Sequence, residues 1–321
     1  MLAVLVSACG FMRREVTPEY ARESERLLKL GNEAIDEENF DLARDYQRQL
    51  QERGFIGSWE LKARLHTAEG EHEEALATVE EALKLIEDDF VLWTQKGNIL
   101  SDLGRYPLSE KAYARARQCP NAYLPDVDLN EALMSLRRER PETALSLAEN
   151  VLSEEEAEAR HPRARELKVS ALVGLGRGDE LESFLNTFEE EERSRLWTVA
   201  SARFDDLGRS DEALNCALKA ARLDRKNGDA LYHVRESRRA ESPSSKAWKL
   251  VVLCRSAGMS GYTSYSVVAA SPEEGLKLCR EVEPDSLELL ELESSEVVEA
   301  ESGLLEGVYN RTGILFFDEE E

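Results

Sequence analysis

The chain of 321 residues is strongly acidic, with 65 Asp and Glu against 41 Lys and Arg and a formal net charge of −24. This balance disfavours nucleic acid as a partner, because affinity for nucleic acid depends on basic patches that meet phosphates. The acidity either favours a basic partner or serves solubility alone. The length allows two domains, and no stretch reaches the roughly 20 apolar residues of a membrane-spanning helix.

Residues 1–23 form an N-terminal segment with a short apolar start. Val6-Ser7-Ala8-Cys9 is similar to a bacterial lipobox, which would place a lipid on Cys9 and anchor the protein to a membrane. However, no Lys or Arg precedes the apolar run, and the run is short for a signal peptide. The alternatives are a translation start at Met12, which gives the cytoplasmic protein that we expect, and a signal that is truncated here. We therefore expect contact with a membrane only if Cys9 is lipidated.

From residue 24 onward, one pattern returns at a nearly fixed interval. Each unit has a small or apolar residue near the start of its second half. These residues recur at intervals of 32 to 37 positions and are Ala43, Ala75, Ser109, Ala144, Leu181 and Ala213. Four units have a glycine five residues before this position, at Gly70, Gly104, Gly176 and Gly208. Three have a tryptophan sixteen residues before it, at Trp59, Trp93 and Trp197. A repeat of this length predicts a solenoid of helix–turn–helix units.

The residues of this pattern have packing roles. Trp93 and Gly97 lie four positions apart and therefore share one face of the first helix, where a small residue lets the second helix approach closely. Gly104 then ends the first helix at a position that needs a positive φ. We interpret the Trp, Gly and Ala positions as core and turn residues, because stacked repeats bury a continuous core in this way.

The pattern resembles the tetratricopeptide repeat. The resemblance implies a mainly α fold, an α-α superhelical solenoid of about six helix–turn–helix repeats that covers residues 24–240 and ends in a capping helix. It also implies a non-enzymatic protein–protein interaction scaffold that binds a protein or peptide partner in the concave groove of the solenoid. In this family the groove is lined by the first helices.

The resemblance also points to residues of the groove. The residue after the small position of the first helix faces the groove, and the polar ones are Asn32, Arg64 and Asn98; the later units have Leu133, Ser170 and Ala202. These three polar side chains could hydrogen-bond an extended peptide backbone. The peptide-carboxylate clamp of some relatives needs Lys four positions earlier, where this chain has Leu28, Glu60 and Thr94. The clamp is therefore not expected here.

The pattern changes after residue 240. Residues 241–245 are rich in Ser and Pro, which is typical of a linker. The sequence of residues 246–321 then predicts a small acidic α+β domain, with a hairpin of two strands, a helix that begins at Ser271-Pro272, and further strands at Leu287–Leu292 and Gly307–Phe317. Thr312-Gly313 is a candidate turn inside the last of these segments. Small domains of this kind often bind peptides or dimerise, so self-association through this part is one expectation, by analogy of fold alone.

Groups for chemistry are sparse. The five cysteines are scattered without a Cys-x-x-Cys pair, which is typical of reduced thiols packed as small hydrophobes. His66 and His72 lie six residues apart, which is not the spacing of a helical metal site, so we expect no metal and no cofactor. An enzymatic or toxin-neutralising activity of the C-terminal domain would have only Tyr262, Tyr265, Cys254 and acidic side chains to use. We therefore expect no enzyme, and the remaining alternative is a bacterial envelope lipoprotein, anchored through Cys9, that organises a membrane-associated assembly.

Overall fold

The computed structural model describes residues 17–155, 160–240, 245–256, 259–299 and 304–317. These residues form two compact units, with the division between His161 and Pro162. Fourteen helices and five strands are found in the described residues. None of these helices combines the length and the apolar character that crossing a membrane requires.

The first unit consists of four helical pairs. The first and second helices of these pairs are α1 (Pro18–Asp36) with α2 (Phe40–Arg53), α3 (Gly57–Ala68) with α4 (His72–Leu85), α5 (Phe90–Asp102) with α6 (Tyr106–Gln118), and α7 (Leu124–Arg137) with α8 (Pro141–Ser153). Each first helix also contacts the next first helix, whereas successive second helices have no comparable contact among the residues described for this unit. The first helices therefore form the tighter, inner layer of the stack.

Close contacts explain the small residues of the pattern. A Cβ atom at Gly97 would lie 2.8 Å from Cε1 of Tyr113 on the paired helix, and one at Gly31 would overlap with Cδ2 of Leu61 on the next first helix. Ser109 Oγ donates a hydrogen bond of 2.7 Å to the Gly97 carbonyl oxygen. The prediction of helix–turn–helix repeats is confirmed in these details.

The turn inside each pair uses one left-handed residue. Gly70 and Gly104 have φ of 79° and 70°, as the sequence predicts. In the two units that lack this glycine, Glu38 and Glu139 occupy the equivalent place with φ of 57° and 55°. A left-handed glutamate is unfavourable relative to glycine because of its Cβ atom. This substitution is the reason that these two units are the hardest to recognise from the sequence.

The second unit combines further helical pairs with a small sheet. Its elements are α9 (His161–Leu175), α10 (Gly178–Leu185), α11 (Glu190–Asp206), α12 (Ser210–Leu223), α13 (Gly228–Arg238), β1 (Lys246–Ser256), β2 (Met259–Ala269), α14 (Pro272–Val282), β3 (Leu289–Val298), β4 (Gly307–Arg311) and β5 (Leu315–Phe317). The antiparallel sheet has the order β3-β1-β2-β4, and β5 also pairs with β2. The mainly helical fold with a small α+β part at its C-terminal end is thus confirmed.

One side of the sheet packs on α14. Leu250, Val252 and Tyr265 are buried on this side, together with Cys279 and Val282 of the helix. Ser271 caps the helix by accepting a hydrogen bond from the Glu274 backbone N–H at 3.2 Å, as its sequence predicts. The predicted strand segment Gly307–Phe317 is divided into β4 and β5 by residues 312–314, where the candidate turn Thr312-Gly313 lies. Thr312 turns the chain there by donating its N–H to Ser264 O at 3.0 Å.

The sheet also packs against the last repeat. Arg311 on β4 donates hydrogen bonds to the carbonyl oxygens of Ala221 and Asp224, and Arg235 on α13 donates to Val308 O at 2.6 Å. The predicted boundary at residues 241–245 therefore falls within the second compact unit. Residues 241–244 lie outside the described residues, and the boundary stays a prediction.

Candidate functional site

The inner layer of the first unit holds the three predicted groove residues. Asn32 lies on α1, Arg64 on α3 and Asn98 on α5, and each is partly buried. The contacts between successive first helices bring these three helices side by side. The structure therefore places the three residues on one continuous layer, while their individual surroundings differ.

Arg64 forms a partly exposed ion pair. Its guanidinium Nη2 lies 2.5 Å from Asp36 Oδ1, and the two side chains are 39% and 66% exposed. This ion pair connects α3 with α1, and at this exposure it contributes at most about 1 kcal/mol to stability. Arg64 can therefore exchange Asp36 for a group of a partner at low cost.

Asn98 is held in a chain of hydrogen bonds. The Tyr113 hydroxyl donates to Asn98 Oδ1 at 2.5 Å, and Asn98 Nδ2 donates to Asn130 Oδ1 at 3.0 Å. Asn130 in turn donates to the Asp126 carbonyl oxygen at 2.7 Å. Burial raises the pKa of Tyr113 and keeps its phenol protonated as the donor. Asn98 thus connects three helices, a role that the sequence pattern did not indicate.

Asn32, unlike Asn98, has a side-chain oxygen that no described residue satisfies with a hydrogen bond. Its Oδ1 is buried and has no hydrogen-bond partner among the described residues. A buried acceptor without a donor is costly, by about 1–3 kcal/mol. The same holds for Oε1 of Gln95, whose Nε2 donates to the Glu60 carbonyl oxygen at 2.9 Å.

Glu60 adds a titratable group to this layer that sequence reasoning did not select. Burial, together with the negative charge of Asp89, raises the pKa of Glu60 to about 7, and the positive charge of Arg64 opposes this shift only in part. At neutral pH the carboxyl is therefore divided between its neutral and charged forms. A cation that approached it would favour the charged form. In the sequence, this position carries Glu where the peptide-carboxylate clamp of some relatives needs Lys.

A second polar cluster lies at the end of α3. His66, Glu69 and Glu71 have potential metal-ligand atoms within 4.8 Å of one another. His66 Nδ1 lies 2.6 Å from Glu71 Oε2, and Arg44 forms an ion pair with Glu69. Because a guanidinium already occupies the place beside Glu69, the cluster is best described as the Arg44–Glu69 ion pair beside the His66–Glu71 contact.

The groups named for an enzymatic alternative have structural partners. Tyr265 is buried and donates to Glu283 Oε1 at 3.0 Å, and burial raises the pKa of its phenol to about 12. Cys254 is buried, with Sγ 3.2 Å from Gly261 O, and burial raises the pKa of its thiol. Burial also raises the pKa of the Cys216 and Cys279 thiols to about 12. Protonated, buried thiols are poor nucleophiles.

The lipidation candidate Cys9 lies outside the described residues.

Paired helices stacked through their first helices define this chain as a helical-repeat protein. Residues 56–89 match the family model described as tetratricopeptide repeat. Residues 56–89 therefore form a tetratricopeptide repeat, and the following pair has the same small, turn and aromatic positions at Ser109, Gly104 and Trp93. Proteins with such repeats are typically non-enzymatic scaffolds, and the fold suggests a scaffold for protein–protein interaction.

Several solved structures share this arrangement at low sequence identity. The Pseudomonas aeruginosa protein pilF is 17% identical, with a TM-score of 0.46 over 68% of this chain and 98% of that one. PilW, a widely conserved type IV pilus biogenesis factor, is 14% identical, with a TM-score of 0.46 over 61% of this chain and 91% of that one. YrrB, a TPR protein with an unusual peptide-binding site, is 20% identical, with a TM-score of 0.37 over 55% and 89%.

These similarities are too low to carry an argument about the partner. A comparison with curated protein sequences gave no significant match. The function must therefore be argued from the residues of this chain.

Proposed function

We propose that the protein is a non-enzymatic scaffold that binds a peptide segment of a protein partner along the inner layer formed by α1, α3 and α5. The observation that carries the proposal is the accessible Arg64, which lies between Asn32 and Asn98 on adjacent first helices of the stacked repeats. An extended peptide binds such a layer through hydrogen bonds from its backbone to polar side chains.

The partner segment is basic in this proposal. The chain has a net charge of −24, and the inner layer adds Glu60, whose charged form is disfavoured by burial and by Asp89 and is compensated only in part by Arg64. A Lys or Arg side chain of the partner would supply that compensation. Long-range attraction to an acidic chain would also raise the association rate at low salt.

The experiment starts from a partner captured by the full-length protein from its native host and then purified. Its affinity is measured by calorimetry for the wild type and for the double variant Asn32→Ala with Arg64→Ala. We expect the dissociation constant to rise by about five- to a hundredfold, equivalent to about 1–3 kcal/mol. Ser170→Ala, at the equivalent position of the fifth repeat, is the matched control and should leave the affinity unchanged.

Asn98 is tested separately, because removing its amide also leaves Tyr113 and Asn130 without partners. Asn98→Ala should lower stability by about 1–3 kcal/mol in addition to any effect on binding. Unchanged affinity in the double variant, with normal circular dichroism, would contradict the proposed location of the site.

The location in the cell is a second proposal. We propose a cytoplasmic protein, and the sequence Val6-Ser7-Ala8-Cys9 supports the alternative of an envelope lipoprotein that organises a membrane-associated assembly. Mass spectrometry of the protein from its native host distinguishes the two. A diacylglyceryl group on Cys9 would establish the lipoprotein, and an unmodified N-terminus at Met1 or Met12 would exclude it.

Self-association through the C-terminal part is a third proposal. Strand β3 pairs only with β1 among the described strands, which leaves its other edge available to a second copy. Sedimentation velocity of the full-length protein would show a dimer, and a monomer at all accessible concentrations would contradict it.

A further inference from the structure

A groove of about 650 Å³ lies in the first unit between α4, α5 and α6, on the side that carries the second helices. Its apolar lining includes Leu76 and Leu100, which are buried, and Trp93, which is partly buried. Leu108 on α6 borders the groove and is 50% exposed. Trp93 was expected to be a core residue, and the structure places it at the boundary between the core and this groove.

The wall contributed by α6 differs from the equivalent helix of the preceding repeat. Leu108, Lys111 and Arg115 occupy places that correspond, 34 residues earlier, to Glu74, Ala77 and Glu81. Two glutamates and an alanine are thus replaced by one leucine and two basic residues, whereas the first repeat combines the equivalent Leu42 with Asp45 and Gln49. Packing does not require the change, because the preceding repeat forms the same helical pair without it.

The charges around the groove are mainly positive, against the acidity of the chain. Four basic side chains line it, namely Lys96, Arg105, Lys111 and Arg115, together with the acidic Glu73 and Glu80. Lys96 Nζ lies 2.8 Å from Glu80 Oε1, and Arg105 Nη2 lies 2.5 Å from Glu73 Oε1. Lys111 has no carboxylate partner within 4 Å among the residues that the structure describes.

Arg115 also lines this wall, and its charge is paired with carboxylates that do not line the groove. Its Nη2 lies 2.6 Å from Asp88 Oδ1 and 3.8 Å from Glu87 Oε1, and an incoming carboxylate can replace these exposed carboxylates at low cost. Lys111 and Arg115 are four residues apart and therefore lie on one face of α6. Their two cationic groups are thus presented together beside Leu108.

We propose that this groove is a second binding site, which takes an acidic, amphipathic peptide segment of another protein. A leucine or aromatic side chain of that segment packs between Leu108 and Trp93, where the apolar lining is accessible. Carboxylates of the segment pair with Lys111 and Arg115, which gives the charge complementarity. A second copy of this chain and a neutral apolar peptide are the competing occupants, and both are outcomes of the test.

Peptides of 12 random residues, displayed on phage and selected on the full-length protein, provide the probe. The five most enriched peptides are synthesised, and their affinities are measured by fluorescence polarisation in the absence of any other partner. We expect them to carry Asp or Glu beside Leu, Phe or Trp, and to bind about tenfold more weakly when ionic strength is raised from 50 to 300 mM.

Two variants restore the residues of the preceding repeat and are therefore compatible with the fold. Leu108→Glu and Lys111→Ala should each weaken binding of the selected peptides by about tenfold or more. Leu42→Glu is the matched control, because Leu42 occupies the equivalent place in the first repeat and is 38% exposed. Arg64→Ala, in the inner layer, is the second control, and neither control should change the affinity.

The proposal is overturned if no acidic peptide is enriched, or if the enriched acidic peptides bind the Leu108→Glu variant as tightly as the wild type. Enriched neutral or basic peptides whose affinity falls in the Arg64→Ala variant belong to the inner-layer site and do not count for the groove. The proposal is also overturned if the wild type is a dimer in sedimentation and Leu108→Glu makes it a monomer, because a second copy would then occupy the groove. Binding of acidic peptides to the groove does not depend on the inner-layer site at Asn32 and Arg64. The two proposals can therefore be contradicted independently of each other.

Discussion

Arg311 and Glu283 form an ion pair in which both side chains are completely buried, with Arg311 Nη1 3.2 Å from Glu283 Oε1. Tyr265 donates to the same carboxylate, and Arg225 forms a second ion pair with it. Burial, and then the charge of Arg225, lower the pKa of Arg311 to about 10. Because desolvation makes such a pair costly, each partner is needed to compensate the others.

The first prediction tests this buried pair. Arg311→Ala removes one of the two guanidinium partners of the buried Glu283 carboxylate and should lower the free energy of unfolding by about 3–5 kcal/mol. Arg209→Ala removes an exposed pair with Glu212 in the same unit and should cost less than about 1 kcal/mol. Urea unfolding followed by circular dichroism measures both. Equal effects of the two variants would show that the Arg311 pair does not stabilise the unit.

The second prediction concerns the boundary at residues 241–245. If residues 241–244 are replaced by a protease site and cleaved, we expect the two fragments to stay together in size-exclusion chromatography. The reason is that Arg311 and Arg235 connect the sheet to the last repeat by hydrogen bonds. The same cleavage in an Arg311→Ala background should release the C-terminal fragment. Separation of the fragments from the otherwise unchanged protein would favour two independent domains.

The third prediction compares two tryptophans of the repeat pattern. Trp197 is 7% exposed, and Trp197→Ala should destabilise its unit by about 3–5 kcal/mol. Trp93 is only partly buried, so Trp93→Ala should cost about half as much. Thermal unfolding of the two variants provides the comparison. A larger loss for Trp93 would mean that its ring supports the core more than its position at the groove indicates.

The fourth prediction uses the titration of Glu60. Its pKa is raised from 4.5 to about 7 in the folded protein, so its contribution to stability is complete below about pH 4.5 and is lost as pH rises through 7. The side chain of the Glu60→Gln variant stays neutral at every pH. The free energy of unfolding of this variant minus that of the wild type should therefore rise by about 1–3 kcal/mol between pH 5 and pH 8. Glu74→Gln, at an exposed carboxyl of the same repeat, is the control. A parallel pH dependence of both variants would exclude the buried titration.

The fifth prediction addresses the left-handed glutamates. Glu139→Gly removes the unfavourable Cβ atom at φ of 55° and should stabilise the first unit by about 0.5–1 kcal/mol, after the entropic cost of glycine. Gly104→Ala makes the reverse change at the equivalent turn, where φ is 70°, and should destabilise by about 1 kcal/mol. The denaturant midpoints of the two variants show whether each change stabilises or destabilises the unit. Destabilisation by Glu139→Gly would mean that the Glu139 side chain makes a contact that compensates for its unfavourable backbone conformation.

Much of the candidate inner layer could be predicted from the sequence, because the position after the small residue is fixed by helical periodicity. Asn32, Arg64 and Asn98 indeed lie on adjacent first helices. Their partners could not be predicted. The contacts of Asn98 with Tyr113 and Asn130, 15 and 32 residues away, depend on how whole helices stack.

The sequence by itself determined the repeats, the turns at the glycines and the start of α14, because these follow from local backbone preference and from side chains a few residues apart. Only the tertiary structure decided which tryptophan is buried, how far the pKa of Glu60 is raised, and how Arg311 connects the sheet to the last repeat. These properties depend on burial and on charges brought from distant parts of the chain. Desolvation and Coulomb interactions act through space, and a pattern read along the chain does not contain those distances.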